Sequence, residues 1–165
     1  RPNGSYPGRT HRFYTGTPVF AFGTGLSLTT FERTVVWEGG GGGGAPARVV
    51  VARSSDDDDA ERVVATLNIS VANTGDREGD EVVMVYVVPP RGAIALGAPR
   101  QQLAAFVRVT LAAGVSTHVS LGITQRHLVV AAPQRESSDG GESGMWHFRI
   151  NADEATALPF TVQFE

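Results

Sequence analysis

The chain has no cysteine, which excludes disulfides, thiolate catalysis and cysteine-ligated zinc together. It leaves the redox compartment unread, because cysteine-free chains occur on both sides of a membrane. Lysine is also absent, so all 14 basic side chains are arginine. A planar guanidinium suits bidentate recognition of carboxylates, whereas simple coding bias would scatter arginines as they are scattered here. No apolar run approaches the roughly 18 residues of a membrane-spanning helix. Arg1 to Tyr14 has no hydrophobic signal-peptide core, and the sequence lacks an initiator methionine, so a fragment or processed product is expected. The net charge of −3 and pI near 5.8 give no general attraction for nucleic acid or an anionic membrane.

What is present suits one β-rich domain with many turns. The 165 residues include 20 Gly and 9 Pro, and 41% are hydrophobic. Residues 1–31 carry aromatics without periodicity, and Pro2, Pro7 and Pro18 forbid a long regular element. Tyr6, Phe13, Tyr14, Phe20, Phe22 and Phe31 are too many for a free tail. An extended segment lying on another surface is expected. Two low-complexity runs follow. Gly39–Gly44 lacks the Lys-Ser/Thr or helix start of a phosphate loop, and Asp56–Asp59 lacks the spaced oxygens of a calcium loop. Both read as surface insertions.

From Arg62 onward the period is two. Ala65, Leu67, Ile69 and Val71 alternate with polar residues, as in a half-buried strand. Asn73-Thr74-Gly75-Asp76 supplies a turn, with Asn and Gly able to take positive φ. Val82 to Val88 is apolar on both faces and should be a central strand covered on both sides, ended by Pro89-Pro90. Further strands are predicted at Leu103–Leu111, Val115–Ile123, around Trp146 to Ile150, and at Phe160–Phe164. Pro133–Gly144 reads as a polar loop. With Arg48–Arg53, about seven strands and no helical periodicity predict an all-β, immunoglobulin-like sandwich of antiparallel sheets.

A glycosidase needs two carboxylates held around the scissile bond. Asp76, Glu78, Asp80, Glu81, Asp139, Glu142 and Asp153 all fall in or beside predicted turns, where hydration keeps a carboxyl ordinary. His11, His118, His127 and His147 lack the close spacing of zinc ligands, with His118 and His147 on the outward phase of their strands. No Gly-x-Ser-x-Gly elbow occurs. The sequence therefore predicts no catalytic residue, no cofactor and no metal site in this chain. Asn3 and Asn68 head N-glycosylation sequons. Trp37 is the aromatic best suited to stack on a sugar, although packing at a domain edge is the expectation for so large a ring, and Trp146, in phase with Phe148, belongs to the core.

Pro7-Gly8-Arg9-Thr10-His11-Arg12-Phe13-Tyr14-Thr15-Gly16, followed by Pro18 to Ser27, resembles the entry to the C-terminal domain of glycoside hydrolase family 3 enzymes, its β-xylosidase branch above all. Val71 to Gly75, Gly79 to Val83 with Tyr86-Val87, and Pro99 through Phe106 to Val109 agree in order and spacing. Thr24 and Leu28 stand where the family has aromatics, and Ala105 where it has glycine. The resemblance implies a fibronectin type III-like sandwich over 32–165 that stabilises catalytic domains lying outside this chain. Residues 1–31 would be the strap across that interface, with Arg9, Arg12, Phe13, Tyr14, Phe20 and Phe22 as its contacts. It implies a parent that hydrolyses β-linked xylosides or glucosides in xylan breakdown, in a secreted or cell-wall setting. Two other readings stay open: a free module that binds β-linked oligosaccharides, and a cell-surface interaction domain.

Overall fold

A computed structural model describes residues 6–37, 47–51, 60–129, 144–151 and 157–164. The side chains of Val36, Trp37, Ala47 and Phe164 lie outside that description. The glycine run, the aspartate run, the 133–143 loop, Asn3, Asp139, Glu142 and Asp153 lie outside it as well.

Among the described residues, alternation of apolar and polar residues yields eight strands: β1 (Phe31–Trp37), β2 (Ala47–Val51), β3 (Val63–Asn73), β4 (Gly79–Val88), β5 (Gln102–Leu111), β6 (Ser116–Thr124), β7 (Gly144–Ile150) and β8 (Leu158–Phe164). They form two sheets, β1-β3-β6 and β2-β8-β7-β4-β5. The helical turns are short: α1 (Thr10–Phe13), α2 (Arg91–Ala95) and a 3-10 turn at Gln125–His127.

The core lies between the sheets. Leu67, Ile69 and Val71 of β3 and Ile123 of β6 face Val83, Val85 and Val87 of β4 and Trp146, Phe148 and Ile150 of β7, all essentially excluded from solvent. Phe148 stacks on Phe160 at 4.0 Å between ring centroids. The predicted sandwich is thus present, and Trp146 is core. Between β4 and β5 the register shifts: Val85 opposes Ala105 while Tyr86 opposes Leu103, leaving Ala104 as the extra residue of a bulge.

Three expectations need correction. The sheets are not wholly antiparallel, because β2 joins the free edge of β8 in parallel register, Ala47 opposite Phe160 through Val51 opposite Phe164. Period two reports which side a residue faces and carries no information about the direction of its neighbour. The Asn73–Asp76 turn uses no positive φ. Gly75 is there for space, since a Cβ would sit 2.1 Å from Thr29 Oγ1 and 3.0 Å from the Thr30 nitrogen. Asp80 and Glu81 belong to β4 rather than to a hydrated turn, and Glu81 is half-buried in an ion pair with Arg33 of β1.

Candidate docking face

The outer face of the five-stranded sheet is unusually apolar along β4. Val82, Met84, Tyr86 and Val88 alternate with the core-facing valines, so Tyr86 points away from the core. Tyr86 is nevertheless fully buried. Residues 6–30 cover it. His11 of α1 stacks on Phe22 with centroids 4.0 Å apart and planes at 13°. Both rings meet Tyr86 edge-on, at 6.1 and 6.4 Å.

Local chemistry fixes this strap. Tyr14 N–H donates to the Thr10 carbonyl at 3.0 Å, and Thr15 N–H to the Pro7 carbonyl at 2.8 Å, closing the α1 turn. Thr10 has φ 62, a region that a β-branched residue enters only under constraint. Gly23 has φ 86, and a Cβ there would meet Met84 Cε at 2.7 Å and the Tyr86 hydroxyl oxygen at 3.1 Å. Only glycine allows so close an approach to the sheet.

Polar bonds tie the strap's two ends to the sandwich. Arg100 N–H donates to the Arg12 carbonyl at 2.7 Å, and the Arg100 guanidinium to the Tyr14 carbonyl at 2.9 Å. The Arg12 guanidinium donates to Gln102 Oε1 at 3.2 Å and lies 5.7 Å from the Phe13 ring centroid. At the other end, the Thr29 hydroxyl donates to Asn73 Oδ1 at 2.7 Å. Asn73 is itself buried and donates to the carbonyls of Arg77 and Leu111.

Of the residues singled out in the sequence, Phe22 meets Tyr86 of β4, while Arg12, with Phe13 beside it, and Tyr14 are held to Arg100 and Gln102 at the start of β5. Arg9 is exposed and stands apart from those bonds. Phe20 is 76% exposed, and beside it Val19 is 92%, Leu26 100% and Leu28 86% exposed. Phe106, opposite Met84 across β4 and β5, is exposed on the same outer face. The strap therefore covers Tyr86 while presenting its own apolar residues to the exterior. Nothing in the sequence around His11 marks it as an anchor of the strap. The signal available was Tyr86, an apolar residue on the outward phase of a central strand.

Electrostatics do not assemble a catalytic pair among the described carboxylates. Arg33 pairs with Glu81, Arg108 with Asp80, Arg77 with Asp76 and Arg126 with Glu61. Hydrogen bonds from Arg108 and Thr110 hold the Asp80 carboxyl below its ordinary value, and Arg77 does the same for Asp76. Burial, aided by the Arg12 charge, lowers the His11 pKa, and burial raises that of Tyr86. Asn68 is half-buried on the outer face of β3, where its Oδ1 accepts a hydrogen bond from the Ser120 hydroxyl at 2.6 Å. Among the described residues no cluster of His, Asp or Glu is arranged to hold a metal ion.

Residues 81–154 match the family model of the fibronectin type III-like domain. The chain is 31% identical over 143 residues to beta-D-xylosidase 1 of Arabidopsis thaliana, covering 79% of this chain and 18% of that protein. It is 27% identical to the exo-1,4-beta-xylosidase of Emericella nidulans across 100% of this chain and 20% of that protein. Among solved structures, the beta-D-glucoside glucohydrolase of Trichoderma reesei superposes with a TM-score of 0.66 at 25% identity, over 90% of this chain and 20% of that one. A GH3 exo-beta-xylosidase bound to a xylobiose aziridine probe gives 0.68 at 24% identity, over 99% and 21%. The chain thus spans about a fifth of the length of these relatives, and the region it matches is their C-terminal part. Its sequence and fold place it with the fibronectin type III-like domains of glycoside hydrolase family 3 enzymes.

Proposed function

We propose that this chain is a non-catalytic accessory domain that docks against the catalytic domains of a family 3 glycosidase and stabilises them. The observation that carries this reading is the strap. A segment anchored to its own sheet by His11, Phe22 and Tyr86 would shed apolar residues at its exterior if that exterior met only water. Instead Val19, Phe20, Leu26 and Leu28 stand exposed within ten residues of one another, the mark of an interaction surface. Residues 1–31 act as the strap and 32–165 as the sandwich, with Arg9 and Phe20 reaching the partner and Arg12, Phe13, Tyr14 and Phe22 holding the strap in shape. The parent enzyme would hydrolyse β-linked xylosides or glucosides in xylan breakdown, in a secreted or cell-wall setting where glycans at Asn3 and Asn68 would be accommodated.

A free carbohydrate-binding module is the competing reading, and the side chain of its best aromatic, Trp37, lies outside the described part. Isothermal titration with xylo- and cello-oligosaccharides separates the two, with hydrolysis of chromogenic xyloside and glucoside followed on the same sample. The docking reading expects neither binding nor turnover by the chain alone. Saturable binding without turnover would replace it by the binding-module reading. Turnover removed by one carboxylate substitution would overturn both.

A further inference from the structure

Among the described residues, β5 is the last strand of the five-stranded sheet, and the strap leaves part of its outer face bare. Phe106 stands in the middle of that strand, 66% exposed. It lies opposite Met84, and Met84 in turn lies under Gly23 of the strap. Phe22, next to Gly23, and Val82, two residues before Met84, are exposed as well. The bare apolar strip of the sheet is therefore continuous with the strap. An edge strand that faces water is normally blunted by charges. β5 carries one in its ten residues, Arg108, and that charge is engaged away from Phe106. Its guanidinium donates to the Asp80 carboxylate, whose other oxygen accepts from the Thr110 hydroxyl at 2.5 Å. Asp80 sits opposite Thr110, on the far side of Arg108 from Phe106. The strap is uncharged too, since residues 13–31 contain no Asp, Glu, Arg, Lys or His. An apolar centre bounded by satisfied polar groups is the anatomy of a protein interface.

We propose that Phe106 and Val82 extend the docking surface beyond the strap, and that an uncharged, apolar patch on the catalytic part of a family 3 glycosidase covers them. This rests on the docking reading above and deepens it, from the strap alone to the strap and bare sheet together. The relatives supply room for such a patch, because this chain matches only 18% and 20% of the length of two of them.

The test joins this chain to the exo-1,4-beta-xylosidase of Emericella nidulans in place of the matching C-terminal segment. The photocrosslinker p-benzoylphenylalanine is placed at Phe106, at Phe20 of the strap, or at Thr66 on the opposite sheet. Positions 106 and 20 are expected to crosslink to the enzyme's own residues, and position 66 is not. In parallel, Phe106→Ser should shorten the half-life of the chimera at elevated temperature at least about twofold, with F106L close to wild type because it stays apolar. The isolated chain should keep its melting temperature in both variants, since the ring is exposed. The crosslink needs no stability readout, so it decides even where Phe106→Ser unsettles the fold. Crosslinks from position 20 without any from 106 would overturn this proposal and leave strap docking standing. Crosslinks from neither would overturn both. Crosslinks from 106 only to a second copy of the chimera would replace the enzyme by a dimer partner and overturn the proposal as well.

Discussion

The two sheets of this sandwich bury similar inner faces and present opposite outer ones. On the three-stranded sheet, Thr66, Asn68, Ser70, His118 and Ser120 look outward, polar and mostly solvated. On the five-stranded sheet the outward residues include Val82, Met84, Tyr86 and Phe106, and a strap of the chain's own residues lies over part of them. The polar face is finished as it stands. The apolar face is layered, with Tyr86 sealed inside and Phe20, Leu26 and Leu28 left outside. What distinguishes them is the number of layers each needs before polar surface is reached.

Truncation on the two faces should break this comparison most sharply. Tyr86→Ala removes a fully buried ring and is expected to cost about 3 kcal/mol or more, against about 0.5 kcal/mol or less for Thr66→Ala on the other sheet. Urea unfolding of both variants measures the difference. Similar costs would mean that the strap does not bury Tyr86 in solution.

Next in size is the end of the strap. Gly75→Ala places a Cβ against the Thr29 hydroxyl and the Thr30 backbone, and backbone yields less readily than a side-chain tip. A loss of about 1–3 kcal/mol is expected, read as a lower urea midpoint with an unchanged slope.

A smaller, pH-dependent effect should mark the stacked histidine. The folded chain lowers the His11 pKa below its unfolded value near 6.5. The unfolded chain then binds the extra proton more readily, so stability is full above about pH 6.5 and is lost as pH falls through the lowered folded value. His127, lowered by its own burial beside Arg126, titrates in the same direction. His11→Gln should therefore remove part of the acid-side slope, and the protection factor of the Arg100 amide, whose N–H is held by the strap, should fall in wild type as pH falls. An unchanged protection factor across pH 7 to 5 would separate His11 from strap closure. The smallest effect on the isolated chain should come from Phe20→Ser, within about 0.5 kcal/mol of wild type because the ring is exposed.

Much of the sandwich was legible because its strands alternate. The β3 residues Ala65 to Val71 and the β7 pair Trp146 and Phe148 point where period two places them. The excess of aromatics before Phe31 points to a segment in need of a surface, yet Phe20 and Phe22 of that segment stay exposed. Hidden from local reading was that surface's first component, the chain's own Tyr86, about 75 residues from His11 along the chain. Non-local packing also hid the parallel β2–β8 edge and the Glu81 network. In that network Asn151, at φ 51, donates to Glu81 Oε1 at 3.0 Å and accepts from the Met84 N–H at 2.8 Å. Asparagine tolerates this left-handed backbone, but nothing in the flanking sequence marks which asparagine will use it. Gly75 misled for a related reason, since a turn glycine is as often about space as about φ.

Docking of the strap side of the five-stranded sheet on catalytic domains, as proposed above, predicts that this side stabilises them. The most direct test replaces the matching C-terminal segment of the Emericella nidulans exo-1,4-beta-xylosidase with this chain and follows thermal inactivation. The chimera should outlast the enzyme truncated before that segment. The triple substitution Phe20→Ser, Leu26→Ser and Leu28→Ser should remove the gain, while Thr66→Ala with His118→Ala on the opposite sheet should keep it. Loss from the polar face with the strap variant unaffected would contradict the account.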